Sequence, residues 1–269
     1  MIEIYEELVK LKTTGESGVL ITVVDKDGHG PAVLGAKMLV RSDGEKKGTV
    51  GGGALEFAAM KYAPKLIELQ KSESKKYLLS PDNELIEGEK TGMLCGGTIT
   101  LFYEYIGPGA RLYIFGAGHI GKALAYHLKN LDYYVTLVDN REGVVDSIEN
   151  VQQRITANYE TALEGENVPE AAFFIIASHS HKLDYVILKR IYQAAWIPRY
   201  IGMVASKRKA PLMVRQLEEE LGNDINLDIL YAPVGLDTGG PTPDEIAISV
   251  IAEIQAIRYN KTGHRHKKG

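Results

Sequence analysis

Cysteine is nearly missing from this chain of 269 residues: there is one, Cys95, and no second thiol with which it could form an intramolecular disulfide. That absence excludes a disulfide-stapled secreted scaffold and fits a reducing compartment. A long apolar run is also missing, so no segment reads as a membrane span. A basic excess is missing as well. Lys and Arg number 31 against 35 Asp and Glu, a net charge of −4, which argues against a general nucleic-acid binder and leaves any anionic ligand to local groups. The opening MIEIYEELVKLK carries acids at helical spacing and is unlike a signal peptide. Together these point to a cytoplasmic globular protein with no membrane and no nucleic-acid partner.

Glycine, by contrast, is plentiful and placed in clusters. The first half predicts a short helix over the Ile4, Leu8 and Leu11 spacing. Strands follow in GVLITVVDKDGHG and on both sides of Asp43-Gly44. A glycine triplet then precedes a helix starting near Ala54, and two more strands read from KKYLLS and GTITLFYEYI. The stretch IGPGA, residues 106–110, reads as a linker. The expected organisation is therefore a smaller α+β domain over 1–106 and a second domain over 107–269.

From 110 onward strands and helices alternate. Strands are expected at RLYIFGAG, YYVTLVDN, AAFFIIASH, YIGMVAS and DILYAPVG. Helices are expected at HIGKALAYHLKNL, KLDYVILKRIYQAA, KRKAPLMVRQLEEEL and TPDEIAISVIAEIQAIR. That alternation predicts an α/β fold: a Rossmann-like parallel sheet with helices on both faces.

Gly116-Ala117-Gly118-His119-Ile120-Gly121 is a G-x-G-x-x-G run between an expected strand and an amphipathic helix. Asp139 lies 23 positions beyond Gly116, at the end of the next strand. In a dinucleotide fold the first glycine allows the turn, the second lets a pyrophosphate reach the backbone, and the third lets helix and strand pack. The acid receives the ribose hydroxyls. A nucleotide or pyrophosphate ligand, NAD among them, is the expectation for Gly116, Gly118, Gly121 and Asp139.

Ligands of open parallel sheets bind beyond the carboxyl ends of the strands. Three further loops should gather there: SHSH (178–181), ASKRK (205–209) and VGLDTGG (234–240). Lys207 and Arg208 near a helix start could hold a phosphate. His119, His179 and His181 lack the further ligands of a complete metal site, so they are read as hydrogen-bonding groups for an anion or polar ring, with Asp237 orienting one of them. In the first half, Gly51, Gly52 and Gly53 before a helix form a possible anion cradle. Glu56, in the first turn, reads as a group that caps that turn. Cys95 beside Gly96 and Gly97 is either a small buried hydrophobe or a thiolate suited to a soft metal or to sulfur transfer.

As a set, GAKMLV, GTVGGGALE, CGGTITLFYE, IFGAGHIGKALA, VDNRE, ASHSHKLD, YIGMVASKRK and GLDTGGPTPDEIAISVIAEI resemble the XdhC/CoxI family over nearly the whole chain. These are maturation factors of xanthine dehydrogenase and related molybdenum hydroxylases. The resemblance implies a chaperone that binds the molybdenum cofactor (molybdopterin) and protects it while a cysteine desulfurase supplies its terminal sulfur. It then delivers the cofactor to the apo-hydroxylase. It further implies a homodimer, and an accessory factor rather than a catalyst, since the redox chemistry belongs to the client. Under this reading Cys95 is the molybdenum ligand or sulfur relay and meets the metal end with the glycine-rich N-terminal loops, while the Rossmann edge holds the phosphate end. One departure stands out: Pro31-Ala32 occupies a place where members often carry Pro-Arg, so an arginine that would hold a phosphate is missing. The alternative function is an NAD(P)-dependent oxidoreductase using the same glycine loop.

Overall fold

A computed structural model describes residues 2–28, 32–78, 97–222 and 224–263, with the backbone of 89–90. The chain divides into two compact units, 1–109 and 110–269.

The first unit contains α1 (Ile2–Thr14), β1 (Gly18–Gly28), β2 (Lys37–Arg41), β3 (Lys46–Gly48), α2 (Gly53–Leu69), β4 (Glu73–Leu78), β5 (Glu89–Lys90) and β6 (Gly97–Ile106). The strands form one sheet in the order β3-β2-β1-β6-β4-β5. All neighbours run antiparallel except β4 and β5. Period-two alternation decides which side chains go where. Val19, Ile21 and Val23 of β1, with Met38 and Val40 of β2 and Leu101 and Tyr103 of β6, face the apolar stripe Leu55, Ala59, Ala63 and Leu66 of α2. Leu20 and Leu39, the intervening positions, face Ile4 and Leu11 of α1. The sheet is thus covered by one helix on each side. At the β2–β3 turn, Gly44 takes φ +88°, and Asp43 accepts the Glu45 amide hydrogen at 3.0 Å.

The second unit contains β7 (Ala110–Phe115), α3 (His119–Leu128), β8 (Tyr133–Asp139), β9 (Gln153–Thr156), β10 (Phe173–Ile176), α4 (His181–Gln193), β11 (Tyr200–Met203), α5 (Ala210–Leu221), β12 (Leu230–Tyr231) and α6 (Pro243–Arg258). Every pairing is parallel, in the order β12-β11-β10-β7-β8-β9. The order reverses between β7 and β10, which makes that gap the topological switch point of a doubly wound sheet. Leu112 and Ile114 of β7 and Phe173 and Ile175 of β10 pack with Leu124 of α3 and Val250 and Ile254 of α6. Tyr113 and Phe115, with Phe174 and Ile176, pack on the opposite face with Ile187 and Leu188 of α4 and Met213 and Leu217 of α5. Strands buried on both faces read as continuous apolar runs, as FFII does. Strand β9 was not among the expected strands. Its four residues alternate between half-buried and exposed, the pattern of an edge strand with too little apolar content to be seen in sequence.

Candidate functional site

The six-residue glycine run forms the turn from β7 into α3, and its three glycines differ in what surrounds them. Gly116 has φ +113°, and a Cβ on it would lie 2.1 Å from the Ala177 carbonyl oxygen at the end of β10. Gly121 sits in the first turn of α3, where a Cβ would lie 2.0 Å from the Gly116 carbonyl oxygen. Gly118 precedes α3 in an extended conformation with no side-chain cap, and a Cβ there would meet nothing within 4 Å. The outer two glycines are close-contact positions, and the middle one faces open space. Amides opening a helix have no intrahelical acceptor, and the helix dipole favours an anion there by roughly 0.3–1 kcal/mol per charge. The loop therefore has the shape and polarity of a phosphate cradle.

Asp139 fixes that cradle instead of standing free beside it. Its side chain is fully buried. Oδ2 accepts the Ala117 amide hydrogen at 2.7 Å, inside the glycine loop. The Arg141 guanidinium forks onto both oxygens, Nε to Oδ1 and Nη2 to Oδ2, each at 2.8 Å. The Arg141 amide adds a further bond to Oδ1 at 3.0 Å. Burial pushes this carboxyl up. The Arg141 fork and the Ala117 and Arg141 amides outweigh burial and hold it below the usual aspartate range. This differs from the expectation of an acid open to a ribose: the arginine two residues on, which the motif reading passed over, occupies it.

The neighbouring loop follows β10. Ser178 donates from its amide at 3.0 Å and from its hydroxyl at 2.6 Å to Asp184 Oδ1, in the first turn of α4. His181 Nδ1 lies 3.5 Å from Asp184 Oδ2. Asp184 is 3% exposed, and burial raises its pKa against the pull of the Ser178 bonds and His181. Ser178 belongs to the expected SHSH loop, whereas Asp184 is not singled out by spacing; it is visible only once the helix start at His181 is known. His119 and His179 are exposed. Among the described residues no three His, Cys, Asp or Glu side chains group to hold a metal ion.

Lys207 and Arg208 are exposed in the turn after β11, and α5 begins only at Ala210. A groove of about 310 Å³ between the first turns of α4 and α5 is lined by His181, Lys182 and Lys209 above Leu212 and Met213. Asp237 is exposed in the loop after β12. That loop is tied to α6: Gly235 donates to Glu253 at 3.0 Å, and a Thr242–Glu245 capping box opens the helix. All these loops follow carboxyl ends of parallel strands, so they share one edge of the sheet.

In the first unit, Gly51, Gly52 and Gly53 all have positive φ, at 125°, 75° and 60°. A Cβ on Gly51 would lie 2.9 Å from the Ala32 backbone, and one on Gly52 would meet nothing within 4 Å. Thr49 Oγ1 accepts the Gly51 amide hydrogen at 3.2 Å and donates to Glu56 at 2.6 Å. Lys46 also pairs with Glu56. Glu56 thus braces the turn before α2 through side chains. Ala32, at the place of the missing arginine, is buried against Gly51. Gly97 opens β6 at φ +142°, where a Cβ would lie 2.3 Å from the Asp27 carbonyl oxygen; close strand pairing accounts for it. Cys95 and Gly96 lie outside the described residues.

A doubly wound sheet with a phosphate-type glycine loop at its switch-point edge defines a Rossmann-class domain. More narrowly, residues 112–254 match the XdhC Rossmann domain and residues 11–78 match the XdhC and CoxI family, and the chain belongs to that family. It is 32% identical over 97% of its length to the uncharacterized protein YqeB of Escherichia coli (strain K12), covering 47% of that protein. It is 31% identical over 60% of its length to a probable xanthine dehydrogenase subunit of Bacillus subtilis (strain 168), again covering 47% of it. The chain thus spans about half the length of these two relatives. The molybdenum cofactor insertion chaperone PaoD of Escherichia coli (strain K12) is 22% identical, with 94% of this chain and 87% of PaoD covered. A crystal structure from Bacillus halodurans described as a xanthine dehydrogenase shares the fold, with a TM-score of 0.50 at 23% identity and 97% of both chains covered.

Proposed function

We propose that this chain is an accessory protein of molybdenum hydroxylases: it binds the molybdenum cofactor, shelters it while a cysteine desulfurase provides the terminal sulfur, and passes it to an apo-enzyme of the xanthine dehydrogenase type. The observation that carries the reading is the glycine loop, whose middle residue Gly118 leaves the first amides of α3 open to a phosphate. Membership of the XdhC and CoxI family supports it, as does the likeness to a protein described as a molybdenum cofactor insertion chaperone. In this proposal the cofactor is cargo. Gly118 and the amides after it hold its phosphate, with His119, His179, His181, Lys207 and Arg208 supplying donors along the same edge.

Cys95 meets the metal end as a thiolate, a soft ligand that can also carry sulfur. The first unit's glycines Gly51, Gly52, Gly53, Gly96 and Gly97 are assigned to the same end of the cargo, with Gly52 facing open space. The working form is a homodimer in the cytoplasm. A nicotinamide-linked oxidoreductase has less in its favour, because Asp139 has no free acceptor for the ribose of NAD. The test is a titration of the full chain and its Cys95→Ala variant with molybdenum cofactor, followed by activation of an apo-hydroxylase. Saturable binding with transfer supports the function, and equal activity of the variant removes Cys95 from it.

A further inference from the structure

Two arginines of the Rossmann unit differ in how their forks are filled. The Nε–Nη2 edge of Arg141 is closed by Asp139, with both bonds at 2.8 Å. The same edge of Arg190, in α4, is open. Its Nε is buried and makes no hydrogen bond among the described residues. Its Nη2 lies 3.8 Å from Glu164 Oε1, beyond hydrogen-bond reach, and the Glu164 side chain is 61% exposed. The guanidinium lies over the Trp196 ring, 5.4 Å from its centroid. Buried donors are nearly always paired, and an arginine fork matches the two oxygens of a carboxylate.

Arg190 lines a pocket of about 420 Å³ with Glu160, Tyr185, Val186, Lys189 and Glu220, a size typical of small-molecule sites. The pocket lies along α4 beyond the first turn that faces the strand-end loops. The Tyr185 hydroxyl is also buried and without a hydrogen bond among the described residues. Burial and the nearby Glu220 carboxylate push its ionisation up to about 12, so it stays a neutral donor. Of the three side-chain atoms left in this state among the described residues, two therefore line one pocket. Lys189 and Glu220 neutralise each other at 2.7 Å. That leaves Arg190 with two carboxylates, Glu164 beside it and Glu160 in the exposed turn after β9. A plain anion is disfavoured by that excess of negative charge, and a ligand that brings its own positive group is favoured.

We propose that this pocket binds a free α-amino acid with an apolar side chain. Its carboxylate takes the Arg190 fork and the Tyr185 hydroxyl, its ammonium meets Glu160, and its side chain lies against Val186. The site is separate from the glycine loop and from any molybdenum cargo. Calorimetry of the full chain with L-leucine, 4-methylpentanoate and 3-methylbutylamine tests it, since the last two each lack one of the charged groups. L-leucine should bind at least about tenfold tighter than either, the ratio expected of one charge-assisted contact. Arg190→Lys keeps the charge without the fork and should weaken leucine binding by at least about tenfold. Glu160→Gln alters an exposed side chain, which spares folding, and should bring L-leucine and 4-methylpentanoate within about twofold of each other. No binding of L-leucine overturns the proposal, as does equal affinity for L-leucine and 4-methylpentanoate on the unaltered chain. Leucine affinity unchanged in Arg190→Lys, or a leucine preference unchanged in Glu160→Gln, overturns it too. If Arg190→Lys fails to fold, Glu160→Gln decides.

Discussion

Replacing the glycines of the 116–121 loop one at a time separates folding from binding, because the three positions differ in what surrounds them. At Gly116, a Cβ would sit 2.1 Å from the Ala177 carbonyl oxygen and 2.9 Å from the Ser178 Cα, and the backbone stands at φ +113°. Strain from holding an alanine in a region that side chains rarely adopt costs about 1–3 kcal/mol. Forcing β7 away from β10 costs about a further 1–3 kcal/mol. Gly116→Ala should therefore lose about 2–6 kcal/mol. At about 2–4 °C per kcal/mol for a unit of this size, the melting temperature should fall by about 4–24 °C. Gly118→Ala meets no atom within 4 Å and already has a negative φ of −75°, so its cost is the weaker N-cap preference of alanine, under about 1 kcal/mol. Thermal unfolding by circular dichroism, with ligand binding measured in parallel, reads both. A Gly118→Ala variant less stable than Gly116→Ala, or a Gly116→Ala variant within about 1 kcal/mol of the parent, would refute the steric reasoning.

Gly121→Ala should behave like Gly116→Ala, since the Gly116 carbonyl oxygen blocks its Cβ at 2.0 Å; urea unfolding should show the loss despite the gain in helix propensity. The two buried aspartates should act in opposite directions with pH. Asp139 is depressed when folded, so its contribution is full above the unfolded aspartate value and fades as pH falls through the folded one. Asp184 is raised, so folding stability declines as pH rises from the unfolded value through the folded one. Denaturant titrations from acid to neutral pH should therefore show a flatter upward slope for Asp139→Asn and relief of the decline for Asp184→Asn; no change of slope in either would contradict the assignments. Thr49→Val turns the exposed Gly51 amide to water but removes a part-buried hydroxyl donor from the Glu56 carboxylate, and should cost the first unit about 1–3 kcal/mol as seen by a lowered urea midpoint.

The doubly wound sheet was readable because its strands are apolar on both faces and are separated by helices with clear stripes, as at Ile120, Leu124 and Leu128. Strand β9 escaped that reading because QRIT is a polar edge. The start of α5 moved to Ala210 because Lys209 stays in the preceding turn, with its amide on the Ser206 carbonyl at 2.9 Å. At the site, the glycine pattern foretold the shape of the loop, since Gly116 and Gly121 stand where close backbone approach leaves no room for a Cβ. The partner of Asp139 was not legible. Whether an acid at a strand end turns outward to a ligand or inward to Ala117 depends on the side chain two residues further on, and the motif VDNRE does not say which way Arg141 turns. Asp184 was hidden for a related reason, because an acid in a first helical turn is common, and only the fold reveals that Ser178 stands opposite it.

The central claim, that an open glycine loop holds the phosphate end of a molybdenum cofactor, is tested most directly by titrating that cofactor into the full chain and into Gly118→Val at matched stability. A side chain at the open middle position should weaken binding by at least about tenfold, in line with loss of charge-assisted contacts, while the melting temperature stays nearly constant. Unchanged affinity in the variant, or no binding by the parent chain, would contradict the account.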